Sequence, residues 1–321
     1  MCLLNFCGYS MEKNGYNINI QYCSVIRLRN LIRIEVFEID RFWTNSIYYI
    51  LLGIISAALL IWTIYKSKQR KRDLGFFFAI FGLTLFIETV IYIFLKAYEY
   101  YPLIIPHSPK NDGVVGNIFS QISISTAALF VCVYKVPIAG VVLAGAVFYL
   151  TEELFLALGI YQHNWYKSWI TFVGVIILFQ TIKKWYKLTA SDDNHIIQYI
   201  TIILGAIALY LPTTNWIGIL SGFFDVKEDI LIDPFISHAV VAIPKYLIQL
   251  NMIYFLIKRK SSWLWKIAFI IFIVTVDVIL YYTKLIYVRE GWLLIYSGIS
   301  LFTAYLYIYI MNKLLYGNKA K

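Results

Sequence analysis

Five ionisable side chains stand where the surrounding sequence is apolar: Glu88, Glu152, Glu153, Lys245 and Asp277. A charge at the centre of a bilayer costs roughly 2.5–3.5 kcal/mol even on a lenient scale, so each such group needs a compensating partner or a task. Lys245 and Asp277 fall on consecutive antiparallel stretches at matching depth, which allows a direct ion pair. Pro244 would free a backbone carbonyl one turn before Lys245, and Gln249 and Asn251 continue the polar character along the same stretch. Glu152 and Glu153 are neighbours about 100° apart on a helix, so both cannot point at one site. Grouped carboxylates with one lysine suit two chemistries. They can bind a small polar or cationic ligand or relay protons, with Glu153 and Asp277 as primary acids, Glu88 as a secondary acid and Lys245 as counter-ion or gate. Alternatively, Glu152 and Glu153 can act as an acid/base pair on a lipid or isoprenoid, one pKa being raised by burial and by its neighbour. A third reading is purely structural: polar pairs fix helix register in a sensory or scaffold subunit.

The elements that must position these groups are membrane-crossing helices. The chain is 60% hydrophobic and only 14% charged, with a mean hydropathy of +0.70. About 20 apolar residues cross roughly 30 Å of hydrocarbon. That length predicts nine spans, at 45–65, 74–96, 117–136, 137–160, 168–182, 195–211, 234–257, 263–284 and 291–312. The fold class expected is an all-α polytopic bundle. At about 1.5 Å per residue, Glu88, Glu153, Lys245 and Asp277 lie about 21, 24, 18 and 21 Å from one side, forming one layer.

Short loops on that side carry sixteen lysines and arginines, from Lys66 to Lys321, against six on the other (Lys96, Lys110, Lys167, Lys227, Lys284 and Arg289). The positive-inside rule makes the rich side cytoplasmic, with the N-terminus outside and the C-terminus inside. The net charge of +10 is explained by these loops and implies no nucleic-acid partner; the lipid bilayer is the partner expected. Residues 1–44 read as a tail whose true start lies at Met1 or downstream at Met11 or beyond. Within it, Val25–Asp40 alternates apolar with charged residues and suits a strand or an interfacial segment.

The four cysteines form no C-x-x-C pair and the four histidines are scattered, so neither a disulfide framework nor a metal site is indicated, and no cofactor is expected. Walker, G-x-S-x-G and dinucleotide motifs are lacking, which excludes ATP-driven transport by this chain alone. The loop Tyr161–Tyr166 reads as an aromatic belt or a lid, and the acidic loop from Pro212 to Asp233 as a solvated face, with divalent-cation binding as the lesser alternative. Small residues at Ala139-Gly140 and Ala144-Gly145-Ala146 favour close helix packing.

A faint internal repeat places Gly82 over Gly205, Ser120-Gln121 over Pro244-Lys245 and Glu153 over Asp277. The implied plan is an extra helix (45–65) followed by units 66–190 and 191–321, sharing one orientation. On that register the first unit keeps the acid and replaces the lysine by Gln121, a neutral amide.

Two stretches carry resemblances. Ala97-Tyr98-Glu99-Tyr100-Tyr101-Pro102, with Gly116-Asn117-Ile118-Phe119-Ser120-Gln121 downstream, resembles a loop-and-helix pattern in uncharacterised multi-pass membrane proteins of spore-forming bacteria. Glu152-Glu153-Leu154-Phe155, followed by Gly159-Ile160-Tyr161 and Trp165, is similar to the same group and to the Glu-Glu helix of membrane lycopene cyclases, although Thr151 stands where those cyclases carry proline. The first resemblance implies a bacterial plasma membrane, a location that the Ile-, Lys-, Asn- and Tyr-rich usage of a low-GC genome also suggests.

Overall fold

The computed structural model describes residues 42–189, 194–231, 233–259 and 261–317; the expectations for the tail before residue 42 lie outside them. Among the described residues nine long helices follow one another: α1 (Phe42–Lys66), α2 (Arg70–Phe94), α3 (Pro109–Val133), α4 (Ile138–Ala157), α5 (Ser168–Leu188), α6 (His195–Leu220), α7 (Pro234–Lys258), α8 (Trp263–Tyr282) and α9 (Leu293–Tyr316). Eight are long and apolar enough to cross a membrane, and the chain is a multi-pass membrane protein. The other is α5, which continues past the expected end at 182 through Lys183, Lys184 and Lys187.

Where the helix ends depart from the hydropathy expectation, a polar residue does local work. α3 begins eight residues before the apolar run at 117, with Pro109 in its first turn and Asp112 buried. Proline suits that position because its missing N–H would be orphaned anyway. The Asp112 carboxylate accepts the backbone N–H groups of Leu103, Ile104 and Ile105 at 2.8–2.9 Å, which ties the preceding loop to the helix start. α6 runs on to Leu220, into the stretch expected as loop, through a π-helical segment (Leu211–Ile217). α2 likewise ends in one (Thr89–Phe94). In both, a threonine hydroxyl donates to the carbonyl four residues back (Thr89 to Leu85, Thr213 to Leu209), and Pro212 removes a donor from the second. Competition of this kind for the carbonyl ladder loosens it.

Two short hairpin-like sheets, which hydropathy did not foretell, join loops on the side opposite the lysine-rich one. β1 (Tyr98–Tyr100) pairs antiparallel with β2 (Tyr161–His163), and β3 (Phe224–Val226) with β4 (Ile286–Val288). The two sheets belong to two sets of elements with one order: helix with a π segment, strand, helix, helix, strand, helix. The starts of α3, α4, β2 and α5 recur 125 residues later as those of α7, α8, β4 and α9. Loop hydrogen bonds recur too: Tyr101 N–H donates to Ile160 and Lys227 N–H to Leu285, both at 3.0 Å. This spacing corrects the register read from sequence by one residue. Glu152, not Glu153, stands opposite Asp277, and Ser120, not Gln121, stands opposite Lys245.

The halves meet along α2 and α6. At Gly82 an added Cβ would lie 1.8 Å from the Leu204 carbonyl oxygen, so only glycine permits backbones this close; within the second half, Gly205 leaves room for the Met311 side chain. α1 packs on α3 of the first half, where Ser56 and Ser123 share a 2.6 Å hydrogen bond. The α3–α4 turn falls at Lys135–Pro137 as expected, with Lys135 at φ 53°, and Gly145 lets α4 sit against Phe172 and Ile176 of α5.

Candidate functional site

The second half holds the sharpest ion pair. Lys245, the twelfth residue of α7, places Nζ 2.7 Å from Asp277 Oδ1, and Asp277 is the fifteenth residue of α8. Lys245 also donates to the Tyr296 hydroxyl at 2.6 Å and stands 4.2 Å from the centre of that ring. Ser297 donates to the other Asp277 oxygen at 2.6 Å. All four side chains are buried, and the cavity beside them holds only about 20 Å³. Gln249, also fully buried, donates to the Ser300 carbonyl at 2.7 Å and accepts from the Ser300 hydroxyl at 3.1 Å. The single Ser300 proton is then spent, so the 2.7 Å contact with Tyr210 has tyrosine as its donor. This set is closed on itself and ties α6, α7, α8 and α9 together.

The first half is built differently at the same positions. Glu152, the fifteenth residue of α4, pairs with His163 of β2 (Oε1 to Nε2, 2.6 Å) and accepts from the Thr171 hydroxyl. Glu88, in the last α-helical turn of α2, accepts from the Tyr98 hydroxyl at 2.6 Å and from Asn117 Nδ2 at 3.1 Å. The fully buried Gln121 brings its amide beside Glu88, yet its Nε2 closes no hydrogen bond. Between the two carboxylates lies a cavity of about 210 Å³. Glu88, Glu152 and Gln121 line it with Ser120, Thr151 and Thr171, and with the rings of Tyr49, Tyr98, Tyr100, Phe155, Tyr161 and Tyr166. The lining contains no lysine, arginine or histidine.

The strands explain why so many rings converge. Along β1, Tyr98 and Tyr100 turn inward and Glu99 outward, as a strand's period of two requires. Tyr98 stands opposite His163 and Tyr100 opposite Tyr161 in the pairing. The rings pack edge-on or tilted, with centroids 5.0 Å apart for Tyr98 and Tyr166 and 5.1 Å for Tyr100 and Tyr161. Tyr49 closes the cavity from α1, its hydroxyl donating to the Ile160 carbonyl at 2.7 Å. Burial above all, with nearby carboxylates adding to it, holds the phenols of Tyr98, Tyr100 and Tyr161 well above their ordinary range; burial pushes Tyr166 up to about 12. These hydroxyls therefore stay neutral donors.

No family model, no curated protein and no solved structure matches this chain. Its function is therefore read from the geometry of the site.

The single acidic layer expected from depth resolves into two sets, each within its own half. Glu152 faces inward, while Glu153, expected as a primary acid, is exposed on the outer surface of α4. Asp277 and Lys245 meet as expected, but they satisfy each other. Glu88 borders a second cavity of about 140 Å³ at the seam between the halves, apolar apart from Glu88, Asn117, Asn215, His238 and a few loop-side groups. Sequence reasoning passed over Tyr98, Asn117 and Thr171 as site residues and read His163 only as part of an aromatic belt or lid. A visible signal was the alternation Tyr98-Glu99-Tyr100, which is a strand pattern with two rings on one face. The acidic loop is solvated at Glu228 and Asp229, as expected, while Asp233 is largely covered; Lys96 reaches Asp233 at 2.5 Å and Lys110 reaches Glu228 at 3.0 Å, so lysines of the first half clasp the second.

Proposed function

We propose that this multi-pass membrane protein binds a small organic cation in the first-half cavity, as the substrate of a transporter or the signal of a sensor. The observation carrying this reading is a cavity of about 210 Å³ bounded by two carboxylates and five tyrosine rings, with no lysine or arginine lining it and His163 held against Glu152. A carboxylate supplies the counter-charge. A tyrosine face adds about 0.5–2 kcal/mol of cation–π attraction, more as the cation is desolvated. The Gln121 amide, beside Glu88 in the same lining, offers a donor to any polar atom the ligand carries. A metal ion fits less well, because among the described residues no three His, Cys, Asp or Glu side chains gather.

The test is a thermal-shift titration of detergent-purified protein against alkylammonium, tetraalkylammonium and guanidinium salts, with neutral alcohols and carboxylates as controls. A cation present at 100 times its Kd adds about 2.7 kcal/mol to apparent stability. The shift is expected in the wild type and lost in Glu88→Gln and Glu152→Gln. Equal stabilisation by the neutral controls, or no shift with any cation, removes the reading.

A second reading rests on one observation: Glu88 also borders the apolar seam cavity. A carboxylic acid there could protonate an alkene of a lipid or isoprenoid, and the rings would steady the resulting cation. Cells expressing the wild type would then gain a lipid or pigment product absent from cells expressing Glu88→Gln, whereas a binding or transport protein leaves that profile unchanged.

A further inference from the structure

The two halves answer the same electrostatic problem at the same positions, and one of them carries its own cation. Asp277 and Glu152 are each the fifteenth residue of a 20-residue helix, α8 and α4. Lys245 and Ser120 are each the twelfth residue of a 25-residue helix, α7 and α3. Tyr296 and Thr171 are each the fourth residue of the following helix, and both serve the acid site, Thr171 by donating to Glu152 and Tyr296 by binding Lys245. Where the second half has a lysine, the first has a short hydroxyl and a cavity ten times larger, about 210 against about 20 Å³.

The sheets differ in step with this. The inward residues Tyr98, Tyr100, Tyr161 and His163 of the first half correspond to Phe224, Val226, Ile286 and Val288 of the second. The half that has a built-in ammonium has an apolar roof. The half without one has a roof of tyrosine and histidine rings, with the buried Gln121 amide beside Glu88.

We infer that the first-half cavity takes a primary ammonium, R–NH₃⁺, seated where the Lys245 ammonium sits in the second half. This deepens the cation-binding reading and rests on it. A primary ammonium carries three N–H donors, as lysine does. Carboxylate and hydroxyl oxygens line the first-half cavity to accept them, as Asp277 and Tyr296 accept from Lys245. A quaternary ammonium could use the rings but none of these acceptors. The alkyl group R would lie along the Tyr and Phe faces, as the lysine stem lies against its neighbours.

The test uses n-butylammonium chloride, tetramethylammonium chloride and n-butanol as probes of the full chain in detergent, with the variants Ser120→Lys and Ser120→Met. Butylammonium is expected to bind the wild type at least tenfold more tightly than tetramethylammonium, with butanol giving no shift. Ser120→Lys supplies the cation covalently, from the helix position that Lys245 holds in the second half. It should melt above Ser120→Met and lose the butylammonium shift. Tetramethylammonium binding as tightly as butylammonium overturns the inference and leaves a cation site standing; no shift with either cation overturns both. A Ser120→Lys protein that folds, melts no higher than Ser120→Met and still binds butylammonium also overturns it. If Ser120→Lys does not fold, the wild-type selectivity between the two cations decides alone.

Discussion

Substitution of Lys245 by methionine asks whether the Lys245–Asp277 contact is ionic. The change keeps most of the buried stem and removes the ammonium that sits 2.7 Å from Asp277 Oδ1. Asp277 is then left fully buried with the Ser297 hydroxyl as its hydrogen-bond donor. Stranding one member of a buried ion pair costs about 3–5 kcal/mol. A neutral hydrogen bond between membrane helices is worth about 0.6 kcal/mol on average. The two cases are therefore separated by at least a factor of about 50 in the folding equilibrium, at 1.4 kcal/mol per decade. Lys245→Met and Asp277→Asn are each expected to cost about 3 kcal/mol in equilibrium unfolding with SDS in mixed micelles, followed by tryptophan fluorescence. The double variant Lys245→Met/Asp277→Leu should recover to within about 1 kcal/mol of wild type, because replacing a whole buried pair by apolar groups is close to neutral. Cation binding in the first half should survive in all three. Single variants that each cost less than about 1 kcal/mol, with a double variant that is merely their sum, would refute an ionic pair.

The seam between the halves gives a second outcome. Gly82→Ala puts a Cβ 1.8 Å from the Leu204 carbonyl oxygen and should cost about 1–3 kcal/mol or more by overpacking, while Gly298→Ala, with nothing within 4 Å of the added atom, is expected to be neutral or stabilising; melting temperatures compare them. Asp112→Ala strands three backbone N–H groups at 103–105; a loss of about 2–3 kcal/mol, with faster amide exchange confined to that loop, is expected. Asp233 is partly buried, which raises its pKa, but Lys96 and the N–H groups of Ile236 and Phe235 outweigh that and hold it below the usual value. A group whose folded pKa is depressed contributes stability above its unfolded pKa of about 3.9 and loses it as pH falls through the folded value. Asp233→Asn should therefore lower stability at neutral pH and flatten the acid limb, so that variant and wild type converge as pH falls through the folded pKa.

Helix number and chain course were legible in the sequence because burial in lipid demands long apolar runs; eight of the nine expected runs form helices long and apolar enough to cross, and the fifth falls short where α5 carries Lys183, Lys184 and Lys187. The Lys245–Asp277 pair was legible for the same reason: two opposite charges at equal depth on neighbouring helices have few other ways to be satisfied. The limits of hydropathy show at α3, where Asp112, Asn117 and Gln121 are buried. An average over residues cannot separate a polar group facing a cavity from one facing solvent, so the first turns of that helix read as loop. The choice between Glu152 and Glu153 turned on a one-residue register error. At 100° per residue that error exchanges the inside of a helix for its outside. The strands escaped because three residues give no periodicity to measure. What makes β1 a strand is its pairing with β2, some 60 residues away, a long-range fact that Tyr-Glu-Tyr alone cannot carry.

The asymmetry of the halves yields a last expectation that separates local from global effects. A bound cation stabilises whatever part of the molecule must be ordered to hold it. In the second half Lys245 is always present, so its sheet has no dependence on a ligand. In the first half, β1 brings Tyr98 onto Glu88 and β2 brings His163 onto Glu152. Ordering that sheet and assembling the cation site are thus one event. Hydrogen exchange of the detergent-solubilised protein should slow on addition of butylammonium in peptides covering 98–100 and 161–163. Peptides covering 224–226 and 286–288 should be unchanged. In Ser120→Lys the first pair of segments should be protected without ligand. Equal protection of both sheets on adding the amine would mean that the cation acts on the bundle as a whole, and the assignment of the site to the first half would fail.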